Sequence, residues 1–249
     1  MSSIAANLQQ VRRRITRTCD DVGRPAQSVT LLAVTKTFGA TEIREAHAAG
    51  QRDFGENYVQ EALPKMDALA DLRAGLCWHL IGPLQSNKTR VVAERFDWVH
   101  GVDRLKIAQR LAEQRPAGLA PLQLCLQVNI SGEASKSGLQ PAEVAAVAHA
   151  VAALPAERVR LRGLMAIPEP AEGLDAQRRP HRALHQLLQA LNASGLALDT
   201  LSMGMSADLE AAVAEGATIV RVGTAIFGAR PPLAPREASP CRWGEAGPS

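Results

Sequence analysis

The chain has 249 residues, a net charge of +3 and an apolar fraction of 46%, enough for one large domain with a proper core. A charge this small, with no basic run interleaved with aromatics, gives nucleic-acid binding little support, and no apolar stretch reaches the roughly 18–20 residues that would cross a bilayer. Cys19, Cys77, Cys125 and Cys241 follow no disulfide or metal spacing, so a reducing cytoplasm fits best.

The N-terminal segment "MSSIAANLQQVRRRITRTCD" lacks the apolar core of a secretion signal. It reads instead as an amphipathic helix with Ile4, Leu8, Val11 and Ile15 on one stripe. A single rhythm follows to about residue 228. Strands are expected at Thr30–Thr35, Arg52–Glu56, Cys77–Ile81, Trp98–Val102, Leu122–Ile130, Arg160–Ile167, Thr200–Gly204 and Ile219–Gly223. Between them, helical patterns run over Thr41–Ala49, Tyr58–Leu69, Ser86–Arg95, Arg104–Arg115, Pro141–Ala153, His181–Ala193 and Ala207–Glu215, with Asp103 and Ser206 as N-caps.

Strands alternating with helices in this number and over this length predict an α/β (β/α)8 TIM barrel, a single domain over residues 1–230 with an extra N-terminal helix. An open doubly wound sheet competes, but it usually brings a glycine-rich loop after the first strand, and "TKTFGAT" holds one glycine. The segment 231–249, rich in proline, glycine and serine, reads as a disordered tail.

Barrel active sites gather at the C-terminal ends of the strands. Lys36 extends the first apolar strand to that end, whereas Lys65, Lys88, Lys106 and Lys136 fall in helices or loops, where solvated charge is the default. On position alone two readings of Lys36 stand level. It reaches solvent or a rim carboxylate, or its amine is partly buried, has a depressed pKa and condenses with a carbonyl. A second cluster favours the latter. "LSMGMSADLE" and "VRVGTAIFG" each bring a glycine, a hydroxyl and backbone N–H groups to a helix start, in the loops after strands 7 and 8, where barrels commonly hold phosphate. An imine lysine opposite a phosphate cradle suggests a phosphorylated aldehyde, pyridoxal 5'-phosphate above all, with its phosphate near Ser206, Gly223 and Thr224. Arg221 could then reach the pyridine nitrogen. A guanidinium does not give up its proton, so the ring nitrogen would stay unprotonated and the cofactor would be a poor electron sink.

The ordered motifs "LLAVTKTF", "DFGENYVQEA", "WHLIGPLQSNK", "VNISGEASKSGL", "GLMAIPEP" and "LSMGMSADLEAAVAEGATIVRVGTAIFG" resemble the pyridoxal phosphate homeostasis protein family, of the YggS/PROSC type, over residues 5–230. The resemblance implies a fold type III barrel like the N-terminal domain of alanine racemase. It makes Lys36 the Schiff-base lysine, Ser206, Gly223 and Thr224 phosphate contacts, and Arg221 the partner of the ring nitrogen. It also implies that Asn57 and His79 line the cofactor pocket, although His79 reads equally as a core histidine and Asn57 as a helix cap. The loop 131–139 either guards the pocket or simply connects elements.

No metal site and no catalytic residue are expected. An amino-acid racemase would need a second acid–base group on the other face of the cofactor, and the only tyrosine, Tyr58, is not assigned to that face. An aldolase reading, with Lys36 as the imine lysine and a sugar phosphate in the cradle, is the other enzyme alternative. The binding-protein reading explains more: a protein that holds pyridoxal phosphate reversibly and buffers it, or hands it to apo-enzymes.

Overall fold

The computed structural model describes residues 3–132 and 137–228. The expected tail and Lys136 of the 131–139 loop lie outside the described residues. The elements in chain order are α1 (Ile4–Asp21), β1 (Thr30–Val34), α2 (Ala40–Ala48), β2 (Asp53–Glu56), α3 (Val59–Ala68), β3 (Cys77–Leu80), α4 (Thr89–Arg95), β4 (Trp98–Val102), α5 (Leu105–Gln114), β5 (Leu122–Gln127), α6 (Pro141–Ala152), β6 (Val159–Met165), α7 (Leu174–Ala193), β7 (Thr200–Ser202), α8 (Leu209–Ala214), β8 (Ile219–Val222) and α9 (Thr224–Phe227).

The strands pair in chain order, all parallel, and β8 closes on β1. The expected (β/α)8 barrel is the observed fold. β1 shows why the strands read as apolar runs: Leu31, Leu32, Ala33 and Val34 are all buried, because helices cover one face and the barrel interior the other. Most of the core lies between sheet and helices, while Leu32, Val34, Ile81 and Ile219 form a small separate cluster inside the barrel.

Four helices differ from the sequence expectation. α4 begins at Thr89, after a single tighter turn over Ser86–Lys88, and α5 begins at Leu105 with Arg104, not Asp103, as its N-cap. α7 begins at Leu174, not His181, and carries Pro180 in its interior. A proline lacks the N–H for the helical ladder, so it reads as a boundary, yet this helix accepts the loss. α8 begins at Leu209 with Asp208 as its N-cap, not Ser206. The Asp208 carboxylate accepts from the Met205 N–H at 2.7 Å and from His181 Nε2 at 2.9 Å, so it pins the turn that Ser206 was expected to cap.

α1 straps the barrel's closing seam. Ser3 caps its start by accepting the Ala6 N–H, and Leu8, Val11 and Ile15 are buried as their spacing required. Arg14 grips Glu210 at 2.7 and 2.9 Å and the Ser206 carbonyl at 3.0 Å, and Arg24 donates to the carbonyls of Val213 and Ala217. No helix among the described residues is long and apolar enough to cross a membrane.

Candidate functional site at the C-terminal mouth of the barrel

Lys36 lies in a turn just beyond β1 and is half-buried. The next residue, Thr37, has φ of +71°, a left-handed conformation that a β-branched residue seldom adopts. The turn is closed by the Phe38 N–H on the Thr35 carbonyl, and the Phe38 ring meets Phe227 of α9 with centroids 5.0 Å apart. Strain of this kind persists only where surrounding structure holds it.

Part of that hold comes from a residue the sequence reading assigned to solvent. Lys65 of α3 is nearly buried and donates to Glu56 Oε1 at 2.7 Å and to the Thr35 carbonyl at 2.9 Å. Thr35 Oγ1 donates to the same Glu56 oxygen at 2.6 Å. The expectation that Lys65 is a solvated helix lysine is therefore corrected. Pro64 and Met66 gave no hint of it, because the partner is on the preceding strand and not on the helix.

The β7–β8 corner supplies the opposite side. Gly204 has φ of +90°, and a Cβ there would stand 2.4 Å from Ala212 Cβ, so the chain can fold onto α8 only at a glycine. Gly223 caps α9, and a Cβ on it would come within 3.1 Å of the Val34 carbonyl. Because Ala33 pairs with Val222, the Gly223–Thr224 step stands beside the end of β1 that leads into Lys36. The first N–H groups of a helix have no partner within it, and no hydrogen bond among the described residues takes up those of Thr224 or Ala225. Ser206 is half-buried on the adjoining turn.

Arg221 is buried, and its guanidinium lies at the ends of β6 and β7. Nη1 donates to the Ser202 carbonyl at 2.6 Å and to Ser202 Oγ at 2.8 Å, and Nη2 donates to the Ala166 carbonyl at 2.8 Å. Burial pulls its pKa down to about 10, with Asp208 acting in the other direction, so it stays charged at neutral pH. Of its five N–H hydrogens three are used by these acceptors, which leaves two without an acceptor among the described residues.

Asn57 lines a cleft of about 330 Å³ with Ile81, Gly82, Gln127, Asn129 and Ile167. Its Oδ1 is buried without a hydrogen-bond partner among the described residues. Gly82 is required here, since a Cβ would fall 2.1 Å from the Asn57 carbonyl. His79 is placed differently from the other expected residues. It is buried inside the barrel with both ring nitrogens engaged, on Asp53 at 3.1 Å and on His100 at 3.0 Å, and its ring stacks on Trp98. Asp53, Cys77 and His79 bring one ligand atom each within 4.8 Å of one another at the opposite rim. Asp53 is hydrogen-bonded to His79 Nε2, and burial pushes the Cys77 thiol up.

Lys36, the unused N–H groups of α9 and the spare donors of Arg221 are the groups a phosphorylated pyridine aldehyde needs, and the chain's donor set fits it. Comparison with known proteins agrees. Residues 1–231 match the family model "Alanine racemase, N-terminal domain". The chain is 63% identical to the pyridoxal phosphate homeostasis protein of Pseudomonas aeruginosa over 230 residues, covering 92% of this chain and 97% of that one. It is 54% identical to the protein of the same name from Escherichia coli K12 over 231 residues, covering 92% and 98%. Among solved structures it is similar to PipY of Synechococcus elongatus PCC7942 with PLP bound, at 41% identity and a TM-score of 0.78, covering 91% of this chain and 100% of that one. Alanine racemase of Corynebacterium glutamicum shares the fold at 18% identity and a TM-score of 0.66, over 92% of this chain and 61% of that one. The chain belongs to the pyridoxal phosphate homeostasis protein family, built on the alanine racemase N-terminal barrel.

Proposed function

We propose that this protein binds pyridoxal 5'-phosphate at the C-terminal mouth of its barrel and holds it for release, without robust catalytic turnover. When bound, the cofactor supplies an aldehyde that condenses reversibly with a lysine amine. Lys36 provides that amine from a turn whose geometry is braced by Thr35, Glu56 and Lys65. The N–H groups at the start of α9, with the Thr224 hydroxyl and Ser206, receive the phosphate. Arg221 offers its spare N–H groups to the ring nitrogen and keeps that nitrogen unprotonated. Asn57 closes the pocket from the β2 side. The observation that carries this reading is the adjacency of Lys36 to the Gly223–Thr224 step across the β1–β8 seam, in a chain whose relatives are named for pyridoxal phosphate homeostasis.

The same proposed arrangement supports a reading without robust turnover. Arg221 removes the electron sink on which proton abstraction at a substrate carbon depends, and Tyr58, the one tyrosine, is more than half exposed at the start of α3. Delivery to apo-enzymes is the natural use of a reversibly held aldehyde.

The test is the absorption spectrum of purified protein and of Lys36→Ala, each with and without added pyridoxal phosphate, followed by an alanine racemization assay on the loaded protein. A lysine-bound cofactor band confined to the wild type, with no racemization above background, supports the proposal. No band in the wild type would remove the cofactor from it, and rapid racemization would replace storage by catalysis.

A further inference from the structure

The barrel interior holds a continuous line of side chains that the cofactor site does not explain. From the mouth downward, Arg221 Nη1 is 2.8 Å from Ser202 Oγ, Ser202 Oγ is 2.8 Å from His100 Nδ1, His100 Nε2 is 3.0 Å from His79 Nδ1, and His79 Nε2 is 3.1 Å from Asp53 Oδ1. Ser202 ends β7, whereas Asp53 begins β2, so the line runs from one end of the barrel to the other. His79 is 1% exposed, His100 and Ser202 are 0% exposed and Arg221 is 4% exposed. Each group must therefore find its partner within the protein.

The two ends dictate every proton between them. A guanidinium only donates, so Ser202 Oγ accepts from Arg221, and its own buried hydrogen, which needs an acceptor, meets one among the described residues only in His100 Nδ1. His100 must then carry its proton on Nε2 and donate to His79 Nδ1. His79 in turn carries its proton on Nε2 and donates to Asp53. A carboxylate only accepts, so the far end demands the same direction as the near end. A further proton on His100 would leave the Ser202 hydroxyl hydrogen without an acceptor. Burial, with His79 and Arg221 nearby, likewise holds His100 well below the usual histidine range. The rings are also fixed in place: Trp98 stacks on His79 at an interplanar angle of 9°, and Arg162 sits 5.0 Å from the Trp98 ring centre.

We infer that Ser202, His100 and His79 are positioning residues for the cofactor-facing Arg221, acting through a one-way hydrogen-bonded chain anchored on Asp53 at the opposite rim of the barrel. The chain turns the guanidinium so that its two unused donors face the mouth. It also keeps both histidines neutral, so that Arg221 carries the positive charge beneath the ring nitrogen. This inference rests on the proposed pairing of Arg221 with that nitrogen.

Two measurements test it. The first needs no cofactor: nitrogen-15 NMR of the histidine-labelled protein near neutral pH, assigned with His79→Gln and His100→Gln. Both rings are expected neutral with the proton on Nε2. A proton on Nδ1 of either ring, or a charged ring, overturns the chain. The second compares the spectrum of bound pyridoxal phosphate and its affinity in Ser202→Ala, His100→Phe, His100→Gln and Arg221→Gln. Ser202→Ala is expected to shift the spectrum in the direction of Arg221→Gln and to weaken binding about tenfold, the effect of one hydrogen bond to a charged group. Glutamine at position 100 keeps one acceptor and one donor and should behave more like wild type than phenylalanine does. If Arg221→Gln shifts the spectrum and Ser202→Ala does not, the positioning role is overturned while the cofactor reading stands. If Arg221→Gln itself shifts nothing, the pairing with the ring nitrogen fails, and the positioning role fails with it.

Discussion

Lys65 Nζ lies 2.7 Å from Glu56 Oε1, and the same ammonium holds the carbonyl of Thr35, the residue before Lys36. An ion pair between α3 and β2 thus braces the turn that carries the proposed cofactor amine. Glu56 is fully buried and its second oxygen, Oε2, has no partner among the described residues. Burial pushes the Glu56 carboxyl above its usual range, and Lys65 and Thr35 pull it back only in part.

Removing Lys65 should expose that balance. Lys65→Met leaves a buried carboxylate without its cation and should cost about 3–5 kcal/mol. The Glu56 pKa is raised in the folded state, so this group's contribution to stability declines as pH rises from the usual glutamate range through the raised value. Without Lys65 that rise is larger, so the variant's deficit should be greater at about pH 7.5 than at about pH 5. Denaturant unfolding of both proteins at the two pH values checks this, and an equal deficit at both would show that Glu56 is not the group at risk.

Lys36→Ala should keep the fold and lose the covalent link to pyridoxal phosphate. The side chain is half-buried in a turn at the rim of the barrel. Its unfolding midpoint should move by no more than about 1 kcal/mol, as for substitutions away from the core. Borohydride reduction followed by peptide mass analysis should locate the cofactor on residue 36 in the wild type alone. Label on another lysine would displace Lys36.

Gly204→Ala should destabilise by about 1–3 kcal/mol, since it adds strain at positive φ to an overlap with Ala212 Cβ. Shortening the neighbour by Ala212→Gly in the same chain should recover the overlap part and leave the strain. Thermal unfolding of the single and double variants separates the two.

Arg14→Ala should weaken cofactor binding more than it weakens the fold. The Arg14–Glu210 pair is partly exposed, so its direct contribution is at most about 1 kcal/mol. Its hydrogen bond to the Ser206 carbonyl, however, tethers the turn proposed to meet phosphate. A several-fold rise in the dissociation constant for pyridoxal phosphate is expected. Unchanged binding would take Ser206 out of the phosphate site.

Much of this architecture is legible in the residues themselves. The β-branched run before Lys36 is a strand buried on both faces, and strand and helix periods alternate without interruption, so all eight strands fall where their patterns place them. Proline misled where it usually informs: α7 runs through Pro180. The N-cap position of α8 is Asp208, whose carboxylate caps no N–H of the helix but ties His181 and the Met205 N–H to the turn before it. Lys36, Gly204 and Arg221 could be singled out because local chemistry marks them: an amine ending an apolar strand, a left-handed turn, and an arginine inside an apolar strand. His79 resisted assignment, since a histidine on an apolar strand looks alike whether it faces a ligand or the core.

The sequence by itself determined the alternation that closes into a barrel, the family and the start of each strand, since these depend on local period and on residues adjacent in the chain. β5, β6 and β7, by contrast, end two or three residues sooner than their apolar runs. Only the tertiary structure decided what the interior side chains do. The hydrogen bond from Ser202 to His100 spans 102 residues of sequence, and the bulge in the β4–β5 register changes which side chains share a layer. Lys65 becomes a brace only when α3 packs back on β2, and His79 a link to Asp53 only when β3 pairs with β2.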